Sequence, residues 1–158
     1  MQGFMNIDSR QTARLLVELG ESDPHIESIV QEADAPRWAI ELEDGSIVLA
    51  ELDEDCGRLS LEMDLGRPPE EHRLATCELL MMLTSLEHAS EGWAMALTEP
   101  NGEFQLCGHI QVAETSVADL QSNFGFFVGR GQEWKEIVAR GAQRAQVEDA
   151  ILRSDFLV

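Results

Sequence analysis

Trp38-Ala-Ile-Glu-Leu-Glu-Asp-Gly-Ser-Ile-Val-Leu-Ala-Glu-Leu52 reads as two strands around one tight turn. Trp38, Ile40 and Leu42 alternate with Ala39, Glu41 and Glu43, the period of a half-buried strand. Glu43-Asp44-Gly45-Ser46 is a hairpin turn in which Gly45 supplies the positive φ. Ile47 to Leu52 is apolar on both faces, the pattern of a strand covered on two sides. A hairpin so early in the chain makes the sheet antiparallel, and the flanking sequence supplies the rest of it.

Towards the C-terminus, Asp53-Glu54-Asp55-Cys56-Gly57 is the next turn. Leu59, Leu61, Met63 and Leu65 then alternate with Ser60, Glu62 and Asp64 in a third strand. Gly66-Arg67-Pro68-Pro69 stops it, and Pro69, Glu70 and Glu71 suit the first turn of a helix running to about His88. Its centre, Leu79-Leu80-Met81-Met82-Leu83-Thr84-Ser85-Leu86, is apolar nearly all round. A helix on one sheet needs one apolar stripe, so this one needs covering twice. A second copy of the chain is the cover expected here, and burial in the chain's own core is the alternative. Glu91-Gly92 opens a second hairpin, Trp93, Met95 and Leu97 share a face, and Asn101-Gly102 marks its tip. Phe104, Leu106, Ile110 and Val112 form the returning strand. A last helix starts near Ser116, with Asp119 as a capping-box-like signal. Gly125 and Gly129 stand on one face of it, and either allow a close helix contact or mark a break. Residues 141–158 read as a C-terminal tail, loosely attached.

Towards the N-terminus, Gly20, Asp23-Pro24 and Ala35-Pro36 make residues 20–36 a connection, with Ile26, Ile29 and Val30 tucking a short turn onto the body. Before it, a helix runs from about Ser9 to Leu19, capped by Asp8 or Ser9 and ended by Gly20. The order is α-β-β-β-α-β-β-α. The fold class is α+β, an antiparallel sheet packed with helices, in a single domain over residues 1–140.

Composition bounds the function. The formal net charge of −19 disfavours nucleic acid and anionic membrane as partners and favours basic or apolar ones. Residues 1–65 carry sixteen of the acidic side chains against four Arg. Three Cys without close pairing argue against a disulfide scaffold and for a reducing compartment. The N-terminus lacks a signal-peptide pattern and no run is long enough to span a bilayer, so the protein is expected in the cytoplasm.

Catalytic patterns are not visible. His25, His72, His88 and His109 lie on unrelated elements, and Cys107 with His109 supplies at most two ligands, too few for a metal site. There is no phosphate-binding loop and no nucleophile elbow. The expectation is no enzyme, no metal and no cofactor. Binding devices are visible instead. An open sheet leaves edge strands for an extended peptide, and Leu15, Leu16 and Leu19 of the first helix form either one wall of a groove beside it or an ordinary core-packing stripe.

The order of elements, the small size and the low pI resemble the class I type III secretion chaperones, the Tir-chaperone family. The run Trp38–Leu52 is similar to that family's first hairpin. Leu61-Glu-Met-Asp-Leu-Gly-Arg-Pro-Pro69 is similar to its third strand and Pro-containing entry to the middle helix, and Glu78-Leu-Leu-Met-Met-Leu83 to that helix. Gly92-Trp-Ala-Met-Ala-Leu97, with Asn101-Gly102 and Phe104-Gln-Leu106, resembles the second hairpin, and Phe126-Phe127-Val128 with Trp134-Lys135 the final helix. The likeness covers about residues 10–140 and departs at Glu87-His88 and Trp93, in the glycines of the last helix, and after Arg140.

The resemblance implies a homodimer joined through the middle helix and the neighbouring strand, placing Leu80, Met81, Met82, Trp93 and Met95 at the interface. It implies that the chain binds the extended N-terminal segment of a secreted effector and keeps it soluble and secretion-competent without hydrolysing ATP. The effector-contacting set is then Leu15, Leu16, Leu19, Trp38, Ile47 and Leu49. An acidic immunity-type protein, blocking a folded basic toxin through the carboxylates of residues 41–64, is the alternative. A small enzyme is the weakest, since no convergent catalytic set appears.

Overall fold

The alternating stretches become strands, and the positions with apolar residues on one side become the core. The computed structural model describes residues 8–86 and 93–155. In chain order the elements are α1 (Ser9–Ser22), β1 (Ile26–Gln31), β2 (Arg37–Leu42), β3 (Ile47–Asp53), β4 (Arg58–Gly66), a 3-10 turn (Glu70–His72), α2 (Arg73–Leu86), β5 (Ala94–Leu97), β6 (Phe104–Gln111), α3 (Val117–Arg140) and α4 (Arg144–Asp155). The strands form one six-stranded sheet in the order β1-β2-β3-β4-β6-β5. The β1–β2, β2–β3, β3–β4 and β5–β6 pairs are antiparallel. The expected α+β architecture is therefore present, with two elements added: β1 before the first hairpin and α4 after the last expected helix.

By contact density the chain divides into two compact units, residues 1–63 with 108–128 and residues 64–107 with 129–158. In the first, Trp38, Ile40 and Leu42 of β2, Val48, Ala50 and Leu52 of β3 and Leu59, Leu61 and Met63 of β4 are buried by strict alternation. Leu16 and Leu19 of α1 and Leu120, Phe124 and Phe127 of α3 are buried with them. At about 25 cal/mol per Å2 this burial dominates the unit's stability. The Asp8 carboxylate caps α1, accepting from the Gln11 N–H at 2.9 Å.

Gly20 does not end α1, which runs on to Ser22. Gly20 serves proximity instead: a Cβ there would come within 3.2 Å of the Ile29 Cδ1. That close approach seats β1 against the helix. The residues read as a connection thus form an edge strand, with a register irregularity between Ile26 and Ser28. This bulge interrupts the alternation of Ile26, Ile29 and Val30, which is why the stretch does not read as a strand.

In the second unit, Leu79 and Leu80 of α2, Phe104 and Leu106 of β6, and Trp134 and Val138 of α3 are buried. The Arg73 guanidinium lies 5.1 Å from the Phe104 ring centre and donates to the Gly102 carbonyl at 2.9 Å. α4 is seated on α2 by a small cluster of Leu79, Ala142 and Val147, with Ala75, Met82, Leu83 and Ile137 packed around it. The Ala142 N–H donates to the Thr76 hydroxyl at 2.8 Å in a buried bond. Gly141 ends α3 at φ +74°, and a Cβ there would collide with the His72 side chain at 2.8 Å. The tail is therefore helical where the sequence reading expected no element.

α3 is unbroken from Val117 to Arg140, with the Ser116 hydroxyl accepting from the Asp119 N–H at 3.1 Å. Gly125 and Gly129 do not break it. A Cβ at either position would meet nothing within 4 Å among the described residues, so neither serves a close contact with them. The expected end of the middle helix at His88 and the start of the second hairpin at Glu91-Gly92 lie outside the described residues.

Candidate functional site

Sheet geometry places one apolar row on the outer face of the first unit. The register pairs Val30 with Ala39 and Ala39 with Leu49, so three apolar side chains stand side by side across β1, β2 and β3. Val30 is 61% exposed and Leu49 52%. Ile47, two residues before Leu49 on the same face, is 50% exposed. The two-faced apolar character of β3 is thus real, but one of its faces carries no cover from the described residues. A single exposed Leu needs no explanation, whereas a contiguous row is a binding surface in waiting.

Around this row lies a concavity of about 480 Å3, lined by Val30, Glu32, Arg37, Ala39, Leu49, Glu51, Ser60 and Glu62, with Trp38 and Ala50 bordering it. Arg37 stands between two carboxylates, 3.3 Å from Glu51 and 3.9 Å from Glu32. All three side chains are about half exposed, so these pairs orient side chains more than they stabilise the fold.

The free edge beside the row has a defined polarity. The Glu32 N–H donates to the Arg37 carbonyl at 2.9 Å, making Glu32–Arg37 a hydrogen-bonded pair. Alternation makes Val30–Ala39 another, and turns the N–H and C=O of Ile29 and Gln31 outward from the sheet. An extended chain arriving there finds backbone partners and, on one face, an apolar row running inward from Val30.

The sequence-predicted contact residues divide by exposure. Ile47 and Leu49 stand on the outer face, and Leu15 is half-buried. Leu16, Leu19 and Trp38 are buried in the core of the first unit, their side chains committed to packing. Their apolar stripe belongs to the core because α1 lies on the inner face of the sheet. Val30 and Ala39 lie outside the sequence-predicted set, because the bulged, proline-flanked β1 reads as a connection and Ala39 falls on the polar side of β2. The signal that finds them is the apolar face of Ile47 and Leu49, which needs neighbours in register.

The predicted interface residues divide in the same way. Met81 is 60% exposed on α2, and Leu74, two turns earlier on the same side, is 73% exposed. Met82, Trp93 and Met95 are half-buried, and Leu80 is fully buried within its own unit. The cover over Met82, expected from a second copy, comes in part from the chain's own Ala142 and Val147.

Among the described residues no group of three His, Cys, Asp or Glu side chains is placed to hold a metal ion. No described helix is long and apolar enough to cross a membrane. The His25 Nδ1–H donates to the Glu43 carboxylate at 2.8 Å, and this hydrogen bond and the carboxylate's charge raise the His25 pKa. Both side chains are well exposed, and the pair lies in the turn region rather than at the apolar row.

Comparison with known proteins adds a family. The model of the Tir chaperone protein (CesT) family matches residues 32–135. No curated protein sequence matches the chain. Among solved structures, a chain of the HopA1–SchA chaperone–effector complex is 19% identical with a TM-score of 0.61, over 82% of this chain and 98% of that one. A chain of the ExsC–ExsE complex is 16% identical with a TM-score of 0.65, over 83% and 96%. A chain of the structure of the Yersinia pestis type III secretion chaperone SycH in complex with a stable fragment of YscM2 is 17% identical with a TM-score of 0.56, over 77% and 97%. At these identities the likeness is one of fold.

Proposed function

This chain belongs to the Tir chaperone protein (CesT) family, and on that premise we propose that it is a type III secretion chaperone. It binds the extended N-terminal segment of a secreted effector and keeps it soluble and competent for secretion. The observation that carries this reading is the uncovered row Val30–Ala39–Leu49 running inward from the free edge of β1. An extended segment satisfies both features at once, pairing its backbone with Ile29 and Gln31 and setting one apolar side chain beside Val30, where it lengthens the row by one position. The solved complexes of similar fold, described as chaperone–effector and chaperone–fragment pairs, support the same class of partner.

The work is done by mass action. Binding the non-native segment lowers its free concentration and so its aggregation, with no chemical step and no cofactor. The protein acts in the cytoplasm as a homodimer. The exposed side of α2, with Met81, and the neighbouring residues Met82, Trp93 and Met95 form the contact between copies. Leu80 supports that contact from inside. Residues 1–140 act as one chaperone domain, with residues 141–158 appended to it.

Purification of the tagged chain from its native cells, mass spectrometry of what accompanies it, and gentle proteolysis of the complex test the reading. The expected result is a partner reduced to a protected N-terminal segment that is otherwise unfolded. A compact, folded, basic partner overturns the reading in favour of toxin blocking, and the absence of any partner overturns it outright.

A further inference from the structure

The free edge of β1 is not neutral towards the segment it takes. Two residues along the strands from the apolar row runs a charged one. Glu32 stands two residues from Val30, Arg37 two from Ala39 and Glu51 two from Leu49, all lining the same concavity. Arg37 and Glu51 are partners in register, and the Glu32 N–H bond to the Arg37 carbonyl carries the row out to the edge. From the interior outwards it reads carboxylate, guanidinium, carboxylate. Its cation favours the inner partner, 3.3 Å from Glu51 against 3.9 Å from Glu32. The row therefore ends at the free edge on the carboxylate that Arg37 holds less closely. Beyond that end lies a hollow of about 550 Å3, whose lining among the described residues includes Glu32, Asp34 and Glu54 and no cationic side chain. The position just outside Glu32 thus sits in a negative field, beside an apolar position just outside Val30.

An extended segment on this edge meets both rows at its own spacing. Along a strand, side chains at i and i+2 share a face about 7 Å apart, and a paired strand keeps the same step. A side chain beside Val30 therefore has its same-face neighbours beside Glu32 on one side and beside Ser28 on the other. Ser28 offers a hydroxyl, which donates to Glu41 at 3.3 Å, and the irregularity between Ile26 and Ser28 ends regular pairing there. Antiparallel pairing continues the pattern of β1–β2, β2–β3 and β3–β4 and is the more stable per residue. Resting on the chaperone reading, we propose that this edge selects segments of the form basic–x–apolar, running antiparallel to β1. The apolar residue, a Leu, Ile, Val, Met or Phe, sits beside Val30. The Lys or Arg two residues before it sits beside Glu32 and leaves Arg37 to Glu51, so that charges alternate from the segment across to β3. An acidic residue there faces Glu32 and is repelled, which separates segments of equal hydrophobicity by charge.

Labelled, end-capped, Thr-rich peptides that are otherwise uncharged serve as probes, with Lys-Thr-Leu, Gln-Thr-Leu, Glu-Thr-Leu or the reversed Leu-Thr-Lys at their centre. Fluorescence anisotropy with the full chain at low salt reads their affinities. Lys-Thr-Leu is expected to bind tighter than Gln-Thr-Leu by about two- to five-fold, the worth of one exposed pair, and Glu-Thr-Leu weaker than both. Leu-Thr-Lys should bind less tightly than Lys-Thr-Leu, its Lys lying beside Ser28. Glu32→Gln should remove the preference for Lys over Gln, and Glu32→Lys should reverse the order so that Glu-Thr-Leu binds tightest. Val30→Ser should weaken all four. Both positions are exposed, and unchanged thermal unfolding confirms that the variants fold. Equal affinities for Lys, Gln and Glu, a reversed peptide as tight as Lys-Thr-Leu, a preference that survives Glu32→Gln, or no binding at all overturns the proposal. If any of these occurs while the native partner is still held as an extended segment, the charge rule falls alone. If that partner is also absent, the reading it rests on falls with it.

Discussion

Gly125 sits in the middle of a 24-residue helix with open space where its side chain would be. Glycine in a helix interior costs about 0.5–1 kcal/mol relative to alanine, chiefly through the entropy of the unfolded chain. Gly125→Ala should therefore raise stability by about that amount, read as a higher denaturation midpoint at constant slope. A loss of stability would mean that the space is filled by another molecule in solution. The sequence allowed either a break or a close contact at this position, because spacing alone cannot tell what surrounds a helix face. The same limit governed Leu16 and Leu49. Each is a leucine in an amphipathic pattern, yet one is buried and the other half exposed. Alternation shows which side chains share a face; which face is covered depends on where α1 is laid.

Elements were legible in proportion to their periodicity. β2, β3 and β4 alternate cleanly, and their turns carry Asp-Gly and Cys-Gly signals, so their strands and register follow from the residues alone. β1 was hidden by its bulge and by Pro24 and Pro36 on either side. α4 was hidden by composition, being largely polar, and it depends on α2 for its seat. Ala142 and Val147 are the buried points of that seat, together with the hydrogen bond to Thr76. Val147→Asp places a carboxylate among Leu79, Leu83 and Ile137 with no partner, at a cost of about 2–3 kcal/mol. The helix should detach locally before the rest unfolds. Amide exchange followed by mass spectrometry should show faster exchange across residues 144–149 and little change in β2–β4. Unchanged exchange in α4 would show that its seat lies elsewhere.

For the molecule as a whole, the charge of −19 and the exposed side of α2 act in different ways. The charge keeps copies apart at long range, so self-association must rest on short-range apolar contact. Among the described side chains, Leu74 and Met81 are the large apolar ones that α2 leaves exposed. Met81→Glu adds a charge there without entering the core, so it should convert the proposed dimer to a folded monomer. Light scattering that still finds a dimer, with unchanged unfolding, would remove this face from the interface.

The bulge between Ile26 and Ser28 has a consequence for growth. A sheet with β1 at one end and β5 at the other is a monomer with two reactive ends, and joining such units leaves two ends again. Unchecked, that is the stoichiometry of a linear polymer. The bulge spoils the ladder on one of those ends, leaving a stub long enough to grip a passing strand and too short to template a fibre. In polymer terms such a bulge is a chain terminator, limiting growth at that end of the sheet.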